Sequence, residues 1–217
     1  MRVVVAMRSY GQYCGLARAL DVVGSRWSLL IVRELLVGPA RYGELLAGLP
    51  GIATNLLAAR LRELEEAGVV QRTLDTGSNG VVYVLTPWGR ELRDTVASLV
   101  RWSTPLMISG PQGDTFHGRW LVVALDALLR DRRTTRPTTI GLAAADAVVA
   151  VHADRTGTRV EPCGGDQPDT VFRGEPAIVL GLASGMLTVE QAVAAGGVLR
   201  GREADLEAVL GVASSTR

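Results

Sequence analysis

The stretch GIATNLLAARLRELEEAGVVQRTLDTGSNGVVYVLTPWG, residues 51 to 89, changes its hydrophobic period halfway along. Its first part places leucines at helical spacing. With 100° per residue, Leu61 and Leu64 fall within about 40° of Leu57 and form one apolar stripe. Gly68 is typical of the residue that ends such a helix. The pattern predicts a helix over residues 53–67.

The second part of the stretch alternates between apolar and polar residues, as a half-buried strand does. Two such runs lie near 69–74 and 81–85, on either side of DTGSNG. Small Gly, Ser and Asn residues between alternating runs are typical of a hairpin turn. We therefore predict a β-hairpin directly after the helix. A short helix over 41–49 precedes the pair, so the segment has the order helix, turn, helix, hairpin, which is that of a winged helix.

The polarity of the predicted helix suits DNA. Its outward face carries Asn55, Ala58, Ala59 and Arg62 in or near the first half, whereas the acidic residues follow toward the end. A helix that enters the major groove by its N-terminal end brings small or hydrogen-bonding side chains to the bases and keeps acids away from phosphate. The alternative is a solvated amphipathic helix beside an ordinary hairpin. The DNA interpretation assigns contacts to Arg41, Thr54, Asn55, Ala58, Ala59, Arg60, Arg62, Arg72, Ser78 and Asn79.

Within that set the residue types predict different roles. Asn55 can pair with adenine, and the methyl groups of the two alanines can meet thymine methyls, so we predict a half-site that contains A·T pairs. Arg60 and Arg62 are candidates for phosphate contacts, although Arg60 lies near the core edge and is equally well explained as structural. Ser78 and Asn79 belong to a hairpin tip that would follow a phosphate backbone or a minor groove, with Arg72 at its base.

The remainder of the first half is predicted to be mainly helical. A short amphipathic segment ends at Gly24, and a second helix follows with Ser25 as its N-cap. After the hairpin, Thr86-Pro87 starts a helix that is predicted to continue to residue 102, with proline in the first turn. The segment 103–118 is rich in Pro, Gly and Ser and ends the helical pattern, so the domains are predicted to be 1–109 and 110–217.

Residues beyond this boundary mix helical and strand-like runs. We predict helices near 118–131, 175–184 and 202–213 and strands within 138–152 and 157–161. Such a mixture indicates an α/β or α+β unit. The predicted fold class of the whole chain is therefore α+β, a winged helix-turn-helix domain followed by a smaller α/β domain.

Composition and charge limit the class of protein. Hydrophobic residues make up 47% and charged residues 21% of the 217 residues, an ordinary globular balance. The first 109 residues hold 12 Arg against 9 acidic residues and the remainder 11 against 13, so a polyanion would meet the first half. The longest uncharged run has 15 residues, against about 20 for a membrane span, and two cysteines make no disulfide framework. A cytoplasmic protein without membrane contact is expected.

Residues 13–104 resemble the HxlR-type winged-helix regulators, relatives of the MarR-like group. The resemblance rests on YCGLARALDVVGSRWSLLIVRELLVGPARYGEL, GIATNLLAARLRELEEAGVVQR and VVYVLTPWGREL in that order. It implies a bacterial transcriptional regulator that binds double-stranded DNA as a homodimer on a pseudo-palindromic operator. The dimer would form through the first helix, roughly 12–23, and the helix after the wing, roughly 87–104.

The resemblance also implies a role for Cys14. Many members of this family carry a cysteine near the start of the first helix, and in some of them it senses electrophiles or oxidants. This chain has Gly15 where the family usually has proline. A reactive thiol needs thiolate character and exposure. The alternative is that Cys14 is a small, buried packing residue. Cys163 is predicted to be a loop thiol without a role.

The C-terminal segment QPDTVFRGEPAIVLGLASGMLTVEQAVAAGGVLRGREADLEAVLGV, 167–212, is similar in layout to sterol-carrier-protein-like domains. Those domains enclose an apolar tunnel between a curved sheet and helices. The resemblance implies that a hydrophobic small molecule controls the regulator, or that the domain only supports assembly. A pocket would be lined by Trp120, Leu121, Ile178, Leu182 and Met186, although each of these residues is also explained as plain core.

Enzymatic function has little support in the sequence. The two histidines, His117 and His152, have no metal-ligand spacing with the cysteines. No nucleophile elbow, P-loop or dinucleotide fingerprint is present. We expect neither a metal nor a cofactor. A third possibility is a lipid-carrier module whose winged helix serves protein interaction without DNA binding.

Overall fold

The computed structural model describes residues 9–75, 77, 80–107 and 110–211. Two compact units divide the chain, one ending at Arg93 and the other starting at Asp94. The predicted boundary lies later, between 109 and 110, beside two residues outside the described part. The difference arises from the helix that starts at Leu92, because it bonds to residues that follow it in the chain. Arg101 donates to the carbonyl of Ala127 at 3.0 Å, and Arg130 pairs with Asp94.

The first unit contains five helices and a hairpin in the described part of the chain. Its elements are α1 (Gly15–Val23), α2 (Ser28–Val37), α3 (Tyr42–Ala47), α4 (Thr54–Glu66), β1 (Val70–Leu74), β2 (Val81–Leu85) and α5 (Pro87–Arg90). The strands β1 and β2 pair antiparallel, with Val70 opposite Leu85 and Leu74 opposite Val81. This order confirms the predicted helix-turn-helix followed by a wing.

The core of this unit is the predicted leucine stripe. Leu57, Leu61 and Leu64 of α4 are buried, as are Ile31 and Leu35 of α2. A stripe at helical spacing buries one face of α4 and leaves the opposite face to solvent. The stripe therefore decides which side chains of α4 are exposed to solvent.

The prediction of Ser25 as the N-cap of the second helix is wrong. α2 begins at Ser28, and its N-cap is Trp27, whose φ of 83° is left-handed. The carbonyl of Ser25 instead accepts the N–H of Ser28 in a turn. A left-handed Trp27 interrupts the helical path, and the guanidinium of Arg26 lies 5.5 Å from the centre of its ring.

The helix after the wing begins as predicted but does not continue unbroken. Thr86 is its N-cap, with its hydroxyl accepting the N–H of Gly89 at 2.9 Å, and Pro87 occupies the first turn. The helix ends at Arg90, however, and α6 (Leu92–Ser103) follows, with a short 3-10 turn over Thr104–Met107. The prediction of one continuous helix to residue 102 is therefore wrong.

The second unit is a five-stranded sheet with helices. Its elements after α6 are α7 (Trp120–Leu129), β3 (Thr138–Ala144), β4 (Ala147–Ala153), β5 (Thr158–Pro162), β6 (Thr170–Arg173), α8 (Pro176–Ala183), α9 (Val189–Ala194), β7 (Val198–Arg200) and α10 (Glu203–Leu210). The strand order is β5-β4-β3-β6-β7. β3 and β6 run parallel, and all other neighbours are antiparallel.

One face of this sheet makes the core of the second unit. Ile140, Leu142, Val151 and Phe172 point to that face and are fully buried, together with apolar residues of α7, α8 and α10. The opposite face carries Thr139 and His152, whose side chains are hydrogen bonded at 3.0 Å. The mixed α and β elements confirm an α+β chain.

Candidate nucleic-acid interface

The two helices of the helix-turn-helix are tied together next to the amino end of α4. The hydroxyl of Tyr42, the first residue of α3, donates to the carbonyl of Thr54, the first residue of α4, at 2.6 Å. At the other end of this turn, Arg33 of α2 donates to the carbonyl of Gly48 at 3.4 Å. These bonds hold the turn and so fix the direction in which α4 leaves it.

The amino end of α4 is open toward solvent. Its N-cap is Ala53, whose side chain cannot accept a hydrogen bond; in the first turn, the N–H of Leu56 is bonded to the side chain of Asn55 at 2.9 Å. Thr54 and Asn55 are exposed there. The positive end of a 13-residue helix dipole therefore faces outward, which favours an anion such as a phosphate.

Asn55 presents mainly hydrogen-bond donors. Its Oδ1 accepts the N–H of Leu56 at 2.9 Å, which leaves the amide nitrogen to donate. Such a donor fits the N7 or O6 acceptors of a purine in the major groove. Ala58 and Ala59, one turn further along, are half-buried, so only part of each methyl group is available for a base contact.

The four arginines predicted to contact DNA differ in the ion pairs and hydrogen bonds that they make within the protein. Arg62 is exposed and makes no ion pair or hydrogen bond within the described residues. Arg60 pairs with Glu63, keeps only 22% of its side chain exposed, and has a buried Nε without a hydrogen-bond partner in the described part. Arg62 is therefore the better candidate for a phosphate contact, and the geometry of Arg60 favours its structural role.

The other two arginines connect the helices to the wing. Arg72 of β1 donates from Nε to Glu65 of α4 at 2.7 Å. Arg41, next to α3, donates to Asp75 after β1 at 3.3 Å. The guanidinium of Arg72 has further donors on its exposed part that can meet a phosphate. Both arginines therefore serve first to fix the wing relative to the helix-turn-helix. Ser78 and Asn79 lie outside the described residues.

Three further residues at this surface were missed by the sequence analysis. Ala40 and Tyr83 exchange backbone hydrogen bonds of 3.1 and 2.8 Å and so form an isolated antiparallel bridge between the segment before α3 and strand β2 of the wing. Burial, and then the negative charge of Glu65, raise the pKa of the Tyr83 phenol, so it is neutral in the physiological range. Tyr42 lies within the quoted family motif, which was the one available signal for its role.

Cys14 lies apart from these residues, as the N-cap of α1. It is exposed, which contradicts its interpretation as a buried packing residue. Hydrogen bonds from the backbone of Ala17 and then of Leu16 lower the pKa of its thiol. Arg18 lies one turn further along α1, and its guanidinium faces Asp21 at 3.6 Å. Cys163 is half-buried in a loop, and its Sγ donates to the carbonyl of Asp166 at 3.4 Å.

Three of the five residues predicted for an apolar ligand form part of the second unit's core. Leu121 and Leu182 have no exposed surface, and Ile178 packs against the same cluster. Trp120 is half-buried and makes edge contacts with Phe116 and His117, whereas Met186 is 42% exposed.

Among the described residues, no helix is both long enough and apolar enough to cross a membrane.

Comparison with known proteins gives the first unit a family. The model of the HxlR-like helix-turn-helix family matches residues 22–109. An HTH-type transcriptional regulator of Synechocystis is 37% identical over 90 residues, which cover 41% of this chain and 67% of that protein. The regulator YvaP of Bacillus subtilis is 36% identical over 88 residues, covering 40% of this chain and 82% of that one.

A third relative is the B. subtilis regulator YodB, 35% identical over 86 residues, which cover 39% of this chain and 77% of YodB. The crystal structure of quinone-bound YodB matches with 32% identity and a TM-score of 0.37, over 42% of this chain and 96% of that one. Sequence identity of this extent, over most of the length of several regulators, carries the assignment. The chain belongs to the HxlR-like helix-turn-helix family of bacterial transcriptional regulators.

Proposed function

We propose that this protein binds a pseudo-palindromic DNA operator as a homodimer, with one α4 per protomer in successive major grooves. The observation that carries this proposal is the exposed amino end of α4, which has Asn55 at its tip and Arg62 two turns along. Two such helices about 34 Å apart match one turn of the duplex. The wing, including Ser78 and Asn79, follows the adjacent backbone. The whole protein acts in the cytoplasm.

Exposed apolar residues support the proposed dimer. Tyr13 is fully exposed immediately before α1, and Leu16 is 69% exposed on it. On α6, Leu99 and Trp102 are likewise exposed, Trp102 at 76%. A monomeric protein rarely leaves large aromatic and leucine side chains this open in clusters. Both helices are those that the family resemblance assigns to the dimer.

Arg62 provides the test of DNA binding. In a duplex selected from a random pool, the logarithm of affinity should fall linearly with that of salt concentration, with a slope of about −0.9 for each phosphate contact. Replacing Arg62 by Ala should weaken binding and make the slope shallower by about 0.9 for each protomer, because one contact per protomer is lost. Titrations at four salt concentrations measure this slope.

The matched control is Arg133→Ala, which removes an equally exposed arginine from the second unit. It should leave the slope unchanged. Absence of binding to any selected duplex, or a salt-independent affinity, would instead support the carrier or interaction module without DNA binding.

We further propose that the chain has two functional domains, 1–109 and 110–217, and that the second controls the first by binding an effector or by supporting assembly. A curved-sheet domain of the sterol-carrier type is supported by the five-stranded sheet, one face of which is covered by helices. A hydrophobic effector would have to open the core around Leu121, Ile178 and Leu182, with Trp120 and Met186 at its margin. Its binding would change operator affinity only if the effector prefers one of two states.

A second candidate function is thiol sensing at Cys14, favoured by its exposure and by the backbone N–H groups that stabilise its thiolate. Because the pKa of this thiol is lowered, its thiolate is populated at a lower pH than that of a free cysteine. The rate of alkylation by iodoacetamide should therefore reach half of its maximum at a lower pH for Cys14 than for glutathione.

The Cys163→Ser variant isolates Cys14 for that measurement. If the alkylation rate of Cys14 reached half of its maximum at the same pH as that of glutathione, the lowered thiol pKa would be contradicted. The sensing role itself requires that a quinone releases the operator from the Cys163→Ser protein and not from Cys14→Ser. Equal release from both would remove this candidate.

A further inference from the structure

The second unit has a polar cleft of about 480 Å³ at the edge where β3 and β6 begin. It is lined by residues that precede or begin these two strands, and by Arg202 and Asp205 at the start of α10. Its volume lies within the range of small-molecule pockets. None of the five residues predicted for an apolar ligand lines it. Binding in this cleft would be an activity separate from the DNA interface.

The cleft holds two arginines that converge on one carboxylate. Arg136 donates to Oδ1 of Asp205 at 2.6 Å, and Nε of Arg202 lies 3.8 Å from Oδ2. Asp205 keeps only 17% of its side chain exposed, whereas the arginines keep 57% and 67%. One carboxylate thus fixes two guanidinium groups whose remaining donors are open to solvent. Such donors bind a carboxylate strongly and with defined geometry.

The backbone around these side chains is held closely. Thr170 is buried, and its hydroxyl accepts the N–H of Arg202 at 3.1 Å. Gly201 has a φ of 96°, and a Cβ on it would lie 2.4 Å from the carbonyl oxygen of Asp169. Pro137 and Pro168 restrict the two walls further. The cleft is therefore formed before any ligand arrives, which lowers the entropic cost of binding.

A second acidic residue, Asp169, lines the cleft. It is exposed, and its side chain makes no ion pair or hydrogen bond in the described part of the chain. The lining thus contains two guanidinium and two carboxylate groups, and its formal charge is zero. A polyanion meets no net attraction there, and an apolar molecule would leave these charges desolvated and unpaired.

We propose that this cleft binds a small amphoteric molecule, a free amino acid or short peptide, whose carboxylate is held by Arg136 and Arg202 and whose ammonium group is held by Asp169. The two ends of such a ligand match the two signs of charge on the walls. Asp205 acts as the positioning residue that orients both arginines.

The test is isothermal titration of the full chain with each of the twenty L-amino acids and with L-alanyl-L-alanine. At least one should bind with a dissociation constant of about 1 mM or tighter. Its N-acetyl and C-terminal amide forms should each bind at least about tenfold more weakly, because each loses one charge-assisted contact. Blocked forms that bind equally well, or no binding across the panel, would overturn the proposal.

Two variants with matched controls locate the site. Arg136→Gln and Asp169→Asn should each weaken binding of the best ligand by at least about tenfold. The controls are Arg133→Gln and Asp166→Asn, which remove exposed charges three residues before Arg136 and Asp169, respectively. Both controls should leave the dissociation constant of the best ligand unchanged. Unchanged binding by both cleft variants would overturn the assignment, as would preferential binding of inorganic phosphate or an uncharged sugar. These measurements contain no DNA, so their outcome is independent of the proposed operator binding.

Discussion

Replacing Gly89 by alanine is expected to destabilise the first unit by about 3 kcal/mol, because the new methyl group has no space. A Cβ on Gly89 would lie 2.0 Å from the carbonyl oxygen of Val69, which is backbone and cannot move alone. The same oxygen accepts the N–H of Thr86 at 3.0 Å and lies 3.3 Å from its hydroxyl. Displacing it would disturb the start of the wing and the N-cap of α5 together.

Urea unfolding followed by circular dichroism measures this effect. Gly43→Ala is the control, since a Cβ on Gly43 in α3 meets nothing within 4 Å and alanine favours a helix. Its stability should be unchanged or slightly raised, and Gly89→Ala should shift the midpoint of the first unit's transition to lower urea concentration. Equal midpoints for the two variants would show that the close approach at Gly89 is absent.

Local signals in the sequence were sufficient for the elements that form the interface. The leucine stripe of α4, the glycine after it, the alternating strands and Thr86-Pro87 all lie within 39 consecutive residues, and each is a short-range pattern. The structure places α4 at Thr54–Glu66 and the strands at Val70–Leu74 and Val81–Leu85, close to the predicted bounds. These elements could be predicted because the spacing of apolar residues along a short segment reports which face of a helix or strand is buried.

Features that depend on distant residues were not predicted. The left-handed Trp27 and the break of the helix at Glu91 have no short-range signal in the chain. The same holds for ion pairs, because Arg72 and Glu65 or Arg41 and Asp75 meet only after the wing has folded back. The sequence therefore gives the positions of the arginines, whereas their ion pairs with acidic residues required the structure.

The second unit shows the same limit. Its helices α7, α8 and α10 lie close to the predicted ranges because they are apolar and bounded by Gly or Pro. The polar cleft is formed by three segments that are far apart in sequence, near Arg136, Asp169 and Arg202. No periodicity within any one of them predicts that they meet.

The second large effect concerns Asn55 at the tip of α4. If its amide contacts a base edge, Asn55→Ala should lose about 1–3 kcal/mol of discrimination at one base pair in each half-site, which is roughly fivefold to 150-fold in affinity. Discrimination at all other positions should be retained, and the salt slope should not change, because the amide carries no charge. Its exposure and its free amide nitrogen make Asn55 the residue best placed for this contact.

Gln71→Ala is the matched control. It removes an exposed amide from β1, on the side of the strand opposite Arg72, and should leave both affinity and discrimination unchanged. A loss of the same size in this variant would place the specific contact on the wing and not on α4.

The most direct measurement is the affinity of the wild-type protein and of Asn55→Ala for a selected duplex and for every single base-pair substitution of it. We expect two profiles that coincide except at one symmetry-related pair of positions, where the variant tolerates all four bases. Profiles that differ nowhere, or a variant that loses affinity uniformly across all sequences, would contradict the claim that the amino end of α4 meets the bases.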